Sequence, residues 1–337
     1  MRAYEVRETI GLDGLHLNES RAEPVPGHGQ LLVRVRAAAL NYRDQGVILG
    51  NYGYTKFPVI PLSDGAGEVT AIGPGVTGFK PGDRVAGTFF VNWISGRIPL
   101  GVSKNSLGGM IDGMLTEYAL LAETGVVKIP DHLSFEQAAT LPCAALTAWN
   151  ALVETGRIRA GDTVLVLGTG GVACFGLAFA KMHGAQVFMT SSSDDKLARA
   201  KSLGADVTIN YASRPDWDKD ILERTDGAGV DHILEVGGPG TLEKSMNAVR
   251  PGGAIYIIGA VGGAGQINPR PINRKAIRLQ GIHVGSREMF EAMNKAIALH
   301  KLAPAIDRVF AFEDAKEAYV HQQSGRHFGK IVIAGAP

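Results

Sequence analysis

Thr163-Val-Leu-Val-Leu-Gly168-Thr-Gly170-Gly171-Val172-Ala173-Cys-Phe-Gly-Leu-Ala-Phe-Ala-Lys181 carries the strongest local signal in this chain. Five apolar or β-branched residues run straight into Gly168-x-Gly170-x-x-Ala173, and a helical apolar spacing follows. A strand, a tight turn and a helix read this way when they form a dinucleotide site. Gly168 permits the turn, and Gly170 lets the backbone approach a pyrophosphate. Ala173 is small enough for the helix to pack on the strand. The helix N-terminus at Gly171 and Val172 offers unpaired N–H groups and a positive dipole end to an anion. A glycine triplet alone would also suit an ordinary strand-to-helix turn that needs positive φ. The flanking strand and helix favour the nucleotide.

The next strand, Gln186-Val-Phe-Met-Thr190, leads into Ser191-Ser192-Ser193-Asp194-Asp195-Lys196. A site for NAD usually sets an acid at this strand end, about 20 residues after the turn, for the ribose 2′-hydroxyl. Thr190 or Ser191 stands there instead. Asp194 and Asp195 fit better as caps of the following helix. Hydroxyls at Ser191 and Ser192, with Lys196 beyond, attract a 2′-phosphate that a carboxylate would repel. This favours NADPH over NADH. The bland alternative is a serine turn followed by a solvated lysine.

Working outward, strands are expected at 163–167, 186–190, 207–209, 231–236, 254–259 and 279–284. Helices are expected near 171–183, 195–203, 216–225, 240–249 and 288–300. Strict alternation of this kind predicts a doubly wound parallel sheet with helices on both faces, and right-handed crossovers are compatible with the common order 3-2-1-4-5-6. Residues 1–125 read differently, as short strands between Gly/Pro turns: 31–37, 67–72, 84–87 and 116–121. Ser134-Phe-Glu-Gln137 has the spacing of a capping box and opens a helix towards Val153. A helix near 313–323 and a strand at 331–333 are expected to return to the first domain. The fold class is therefore α/β, with a β-rich domain over 1–125 completed by 301–337 and a dinucleotide-binding domain over 126–300. The loop 88–114 is long and holds Phe89, Phe90 and Trp93. It is either a functional or mobile loop or a structural lobe or dimer contact.

The 337 residues suit two domains, and 45% hydrophobic content supports substantial cores. A net charge of +1 gives no reason to expect nucleic acid or an anionic membrane as partner. No apolar run approaches the roughly 20 residues of a membrane helix. The two cysteines, Cys143 and Cys174, form no Cys-x-x-Cys pair, which argues against a disulfide framework. With no apolar leader at the N-terminus, the expected compartment is the cytoplasm.

The order of further motifs carries a resemblance. Pro58-Val-Ile-Pro-Leu-Ser-Asp-Gly-Ala-Gly-Glu-Val69 and Gly78-Phe-Lys-Pro-Gly-Asp-Arg-Val85 precede the glycine turn. Gly204-Ala-Asp, Ile209-Asn-Tyr211, Glu235-Val-Gly-Gly238, Pro251-Gly-Gly253 and Gly329-Lys-Ile-Val-Ile333 follow it. Over nearly its whole length the chain resembles the medium-chain dehydrogenase/reductase superfamily. That implies a GroES-like β-rich catalytic domain, a Rossmann cofactor domain and a homodimer joined through edge strands. Where zinc-dependent members carry a Cys, a Gly-His-Glu and a later Cys, this chain has Asn41, Ser63 with Asp64, and Cys143. Three protein ligands, usually N or S, are the norm for catalytic zinc, so no metal is expected.

Ala39-Leu-Asn-Tyr-Arg-Asp44 with Tyr52 resembles the zinc-independent quinone oxidoreductase-like branch. The resemblance implies that Asn41 and Tyr52 lie beside the nicotinamide, with Tyr42, Arg43 and Asp64 as further candidates at the reacting end. It implies that Lys196 and Tyr211, with Arg326 as a third candidate, meet an adenosine phosphate. Thr147 would lie near the nicotinamide. Val236 and Gly237 would line the cofactor site, Gly259-Ala260-Val261 and Val284-Gly285-Ser286 would contact ribose and carboxamide, and Lys330 would stand near the pyrophosphate. The function so implied is NADPH-dependent hydride transfer to a quinone or an α,β-unsaturated carbonyl. The alternatives are a zinc-free alcohol or aldehyde oxidoreductase, an enoyl-thioester reductase, or a nucleotide-binding protein without turnover.

Overall fold

The computed structural model describes residues 1–52, 56–259 and 261–336. They divide into two units, one made of residues 1–146 with 285–337 and the other of residues 147–284.

In the first unit, β1 (Ala3–Val6) and β2 (Leu15–Asn18) form a hairpin-like pair. There follow β3 (Gln30–Leu40), β4 (Asp64–Ile72), β5 (Arg84–Gly87), β6 (Tyr118–Ala122) and β7 (Val126–Lys128). The second unit contains β8 (Thr163–Leu167), β9 (Gln186–Ser191), β10 (Val207–Asn210), β11 (Val230–Glu235), β12 (Val249–Ile257) and β13 (Arg278–Gly281). The chain then returns to the first unit for β14 (Ile306–Phe310) and β15 (Lys330–Ala334).

The second unit is the doubly wound sheet that the alternation predicts. Its strands run β10-β9-β8-β11-β12-β13, all parallel, which is the order 3-2-1-4-5-6. The central strands are largely apolar, as strands buried on both faces require; Val164 to Leu167, Ile233 and Leu234 are buried, and the acid that ends β11, Glu235, is buried with them. The helix Gly171–Met182 presses on this sheet closest at Gly176, where an added Cβ would stand 2.3 Å from Leu234 Cδ1. Ala173 is buried as well, but the tightest approach is one turn further on.

The first unit is a seven-stranded, mostly antiparallel sheet in the order β14-β15-β3-β4-β5-β7, with β6 also on β3. Leu31, Val33, Leu121, Ile331 and Ile333 fill its core. Two registers position the candidate chemistry. Ile331 pairs with Leu40 across β15 and β3, and Ala39 pairs with Asp64 across β3 and β4. The last residues of β3 and the first of β4 and β15 therefore share one end of the sheet.

The capping box forms as expected, with Gln137 N–H donating to Ser134 Oγ at 3.2 Å. The helical run behind it is not one α-helix. It passes through wide turns at Leu141–Ala145 and Asn150–Thr155 around a short α-helical stretch. The unit boundaries also fall elsewhere than 125/126 and 300/301. Residues 126–146 and the helix Arg287–His300 belong to the first unit, because Asn294 Nδ2 donates to Lys128 C=O at 3.0 Å and the Arg287 and Glu288 N–H groups bond Trp93 and Ile94 carbonyls at 2.9 Å. In the loop 88–114, Phe89, Phe90 and Trp93 are buried, so its aromatic residues serve packing. Among the described residues, no helix is long and apolar enough to cross a membrane.

Candidate active site

Each unit carries a candidate site of its own. In the second unit it is a cradle of backbone. Gly168 has φ +79°, a conformation that a side chain would strain. Gly170 caps the helix with ordinary φ, yet a Cβ built on it meets no atom within 4 Å. The space above Gly170 is therefore open, as the approach of a pyrophosphate requires. Cys174 N–H is the first to bond back, onto Gly170 C=O at 3.0 Å. The N–H groups of Gly171, Val172 and Ala173 precede it and have no carbonyl one turn behind them. This turn fits a dinucleotide.

Around the turn, Thr190 and Ser191 end β9, both buried, and Ser192 is exposed beyond them. The helix that follows is capped by Ser193, whose Oγ accepts Lys196 N–H at 3.4 Å, and not by Asp194 or Asp195, which lie in its first turn. Asp194 instead accepts a hydrogen bond from Asn210 Nδ2 at 2.8 Å. Tyr211 follows β10, 43% exposed, with its N–H on Ser191 C=O at 3.0 Å. Thr147 is buried in the short helical stretch Leu146–Trp149.

At the end of β11, Glu235 is fully buried and accepts four hydrogen bonds, from Gly237 N–H (2.7 Å), Gly238 N–H (3.2 Å), Thr241 Oγ1 (2.6 Å) and Ser245 Oγ (2.5 Å). The carboxylate thereby shapes the loop bearing Val236 and Gly237. Val261 and Gly262 N–H groups bond the Val236 and Gly237 carbonyls at 3.2 and 2.9 Å, which joins the two strand-end loops. The sequence reading gave Glu235 no role. Its signal was an acid at a strand end followed by Gly-Gly and, one and two helical turns on, Thr and Ser. Gly259 borders this loop, while Ala260 lies outside the described residues. Val284 holds φ +49° and its carbonyl accepts Asn150 Nδ2 at 2.8 Å.

In the first unit the site is a cluster of side chains at the shared end of β15, β3 and β4. Asp64 and Ser63 are fully buried, and Ser63 Oγ donates to Asp64 Oδ1 at 2.8 Å. Cys143 N–H donates to Asp64 Oδ2 at 3.1 Å. Burial pushes the Asp64 carboxyl up, against the pull of Lys330. The Cys143 thiol is pushed up by burial and by Asp64, so it stays a thiol rather than a ligand thiolate. Asp44 is also fully buried, with Oδ2 accepting Asn41 N–H at 2.7 Å, and burial pushes its carboxyl up to about 6 in spite of Arg43.

The Arg43 guanidinium lies 4.0 Å from the Tyr52 ring centre and 5.2 Å from that of Phe89. Its Nη1 donates to the Leu107 and Gly108 carbonyls at 3.1 and 3.0 Å and stands 3.2 Å from Asp44 Oδ1. Burial pushes the Tyr52 hydroxyl up, with Arg43 acting against it, so the phenol keeps its proton at neutral pH.

Three further expected site residues have these surroundings. Tyr42 opens the helix Tyr42–Ile48 with 61% exposure and does not join the cluster. Ser286, buried, has its Oγ engaged as the cap of the helix Arg287–His300, accepting Met289 N–H at 3.2 Å; Gly285 beside it leaves no room for a side chain against Leu146. Lys330, expected near a pyrophosphate, is 2% exposed, and its Nζ donates to Leu40 C=O and Asn41 Oδ1, both at 2.6 Å. The sheet register explains this, because pairing Ile331 with Leu40 brings the next residues, Lys330 and Asn41, face to face. Arg326 is exposed, with its Nε on Ser324 Oγ at 3.3 Å.

Among the described residues, no three His, Cys, Asp or Glu side chains converge as a metal site would need. Where the zinc ligands would stand, Asp64 has an ammonium, Lys330 Nζ, at 3.8 Å.

Two family models match the chain, an alcohol dehydrogenase GroES-like domain over residues 27–131 and a zinc-binding dehydrogenase over residues 171–299. A zinc-type alcohol dehydrogenase-like protein of Schizosaccharomyces pombe is 43% identical over 98% of each chain. A quinone oxidoreductase of Pongo abelii is 30% identical over 95% of this chain and 93% of its own. The solved structure of an NAD-dependent alcohol dehydrogenase is 34% identical over 99% of each chain, with a TM-score of 0.90. The glycine cradle and the β-rich unit therefore belong together by descent: the chain is a member of the medium-chain dehydrogenase/reductase superfamily, in its quinone oxidoreductase-like branch, and is an NAD(P)H-dependent oxidoreductase.

Proposed function

We propose that this chain is a metal-independent reductase that uses NADPH to deliver hydride to an electrophilic carbon of a quinone or an α,β-unsaturated carbonyl. One observation carries the reading. The buried cluster of the first unit offers a proton-bearing phenol at Tyr52 and an amide at Asn41, with a lysine ammonium beside Asp64 where a metal would otherwise supply positive charge. The zinc-binding dehydrogenase match spans residues 171–299 and so includes none of Asn41, Ser63, Asp64 or Cys143.

Quinones and enones are already polarised, so a Lewis acid is less necessary than for an alcohol. When bound, the nicotinamide supplies the hydride. The Asn41 amide and the Tyr52 hydroxyl serve as donors to the oxygen that gains negative charge. The proton that completes the reduction comes from Tyr52 or water. Gly168, Gly170, Gly171 and Val172 would hold the pyrophosphate. Ser191, Ser192, Lys196 and Tyr211 support the choice of NADPH, since β9 ends in hydroxyls and not in a carboxylate. Strand β13 ends the six-stranded sheet and supports a homodimer, which a monomer mass by light scattering would exclude.

The test is a panel of quinones, enals, enones, alcohols and enoyl thioesters run with NADPH and NADH, with and without chelator. Turnover of a quinone or enone that survives chelation, with zinc well below one per chain by elemental analysis, is expected. One tightly held zinc per chain, lost together with activity, defeats the reading. Turnover confined to alcohols or to enoyl thioesters moves the substrate to those classes.

A further inference from the structure

We propose that Lys330 is a positioning residue that fixes the Asn41 amide with its N–H groups turned away from the lysine, as a donor to the substrate oxygen. This deepens the reading above and rests on it. An ammonium has donors only, so the Asn41 atom 2.6 Å from Lys330 Nζ must be the amide oxygen. The Leu40 carbonyl, also at 2.6 Å, holds the ammonium in place from the backbone side. Asn41 is 8% exposed and Lys330 2%, so water does not compete for this contact as it would at a surface. With Oδ1 held, both amide hydrogens lie on the other limb. Ser63 Oγ stands 3.4 Å from Nδ2, a long contact, and its own hydrogen goes to Asp64. The amide hydrogens face Ser63 and the Asp64 carboxyl, and on this reading the one on the long Ser63 contact turns to a developing oxyanion when substrate binds. Without the ammonium the amide loses its charged partner on Oδ1 and keeps only the contacts to Ser63, Asp64 and the Asp44 backbone, and a flipped amide would present an oxygen that repels that charge.

The charge arrangement supports the same view. Lys330 faces Asp64 at 3.8 Å, Arg43 faces Asp44 at 3.2 Å, and the neutral Ser63, Cys143 and Asn41 fill the remaining contacts. Each buried carboxylate thus has one cation, as buried charges require.

Four proteins decide the matter: the parent, Asn41→Ala, Lys330→Met and the double variant. Each is measured for kcat on a quinone or enone that the parent turns over, for NADPH Kd by fluorescence titration, and for Tm. Lys330→Met is expected to lower kcat by at least about tenfold in the parent but by less than about threefold once Asn41 is Ala, with Kd nearly unchanged. Loss of packing would lower Tm in both backgrounds, but it would not make the kcat losses non-additive. Equal kcat losses in both backgrounds overturn the inference. A low kcat in Asn41→Ala with a normal one in Lys330→Met overturns it too, and leaves the proposed function standing. A normal kcat in Asn41→Ala removes the donor role and the inference together. Should Lys330→Met not fold, Asn41→Asp serves instead. It keeps an oxygen for the ammonium but has no N–H to give, so turnover must fall as far as in Asn41→Ala, and normal turnover overturns the inference.

Discussion

The two candidate sites, one in each unit, are built in opposite ways. The cradle of the second unit consists of backbone and of missing side chains: a positive φ at Gly168, open space above Gly170 and the free end of a helix. The cluster of the first unit consists of side chains gathered from five separated segments, at 41–44, 52, 63–64, 143 and 330. The first design is local in sequence and tolerates its surroundings. The second exists only when several strands are in register. Single changes should therefore act differently in the two, abolishing binding in one and lowering turnover in the other.

The largest effect is expected at the cradle. Gly170→Val should reduce NADPH binding below detection by fluorescence titration, while circular dichroism and Tm stay near the parent's, because the new side chain fills space that is empty in the protein. Near-normal affinity would make the glycine turn structural only and erase the contrast. The cluster comes next. Tyr52→Phe keeps the ring under Arg43 and removes one donor, so kcat on an enone or quinone should fall at least about tenfold, with about a thousandfold as the upper range for one preorganised donor. A change in coenzyme Kd with kcat untouched would place Tyr52 with the cradle instead.

A side chain at the rim of the cradle should matter less than its backbone. Lys196→Ala should weaken NADPH by roughly tenfold to a hundredfold and leave NADH nearly unchanged, as expected for one charge-assisted hydrogen bond. Equal losses for both coenzymes would return Lys196 to the solvated helix face. The smallest effect concerns Asp44. Its folded-state carboxyl titrates near 6, above the usual 3.8, so the folded state binds the proton more tightly than the unfolded one. Stability from this group therefore rises as pH falls from 7 to 5, by on the order of 1 kcal/mol. Asp44→Asn cannot show this gain, so the parent should gain on the variant over that range in denaturant titrations. A stability difference independent of pH would mean that Asp44 is an ordinary ionised carboxylate.

How much of this was legible follows the same division. The parallel sheet of the second unit could be read because its strands and helices alternate strictly along the chain, and the glycine turn and the capping box at Ser134 because each depends on neighbours within a few residues. The hydroxyl-ended strand at Thr190 and Ser191 was legible for the same reason, although the cap at Ser193 was misread one residue along. In the first unit, the resemblance pointed to Asn41, Tyr52 and Asp64. It did not reveal that Tyr42 faces outward or that Lys330 turns inward. Helix phase sets the first and the β15–β3 register the second, and neither is visible in a single linear pattern. Glu235 escaped for another reason: its partners are mostly backbone N–H groups and hydroxyls, and no charge partner marked it out. The unit boundaries were misplaced because the helix Arg287–His300 continues the α/β alternation in sequence while packing with β7.

The pairing of β15 with β3 also sets an order in time. Lys330 and Leu40 are 290 residues apart, and the whole of the second unit is translated between them. A nascent chain therefore holds every residue of the contiguous cradle before the strand that completes the cluster has been made. Long-range pairing of this kind is the slow part of folding, since the chain must close its largest loop before the contact returns any energy. During synthesis β6 can cover Gln30–Arg34 of β3, but Ala37–Leu40 has no partner on that edge until β15 is made. The positive charge that finishes the reacting end therefore arrives only after the whole of the second unit has been made.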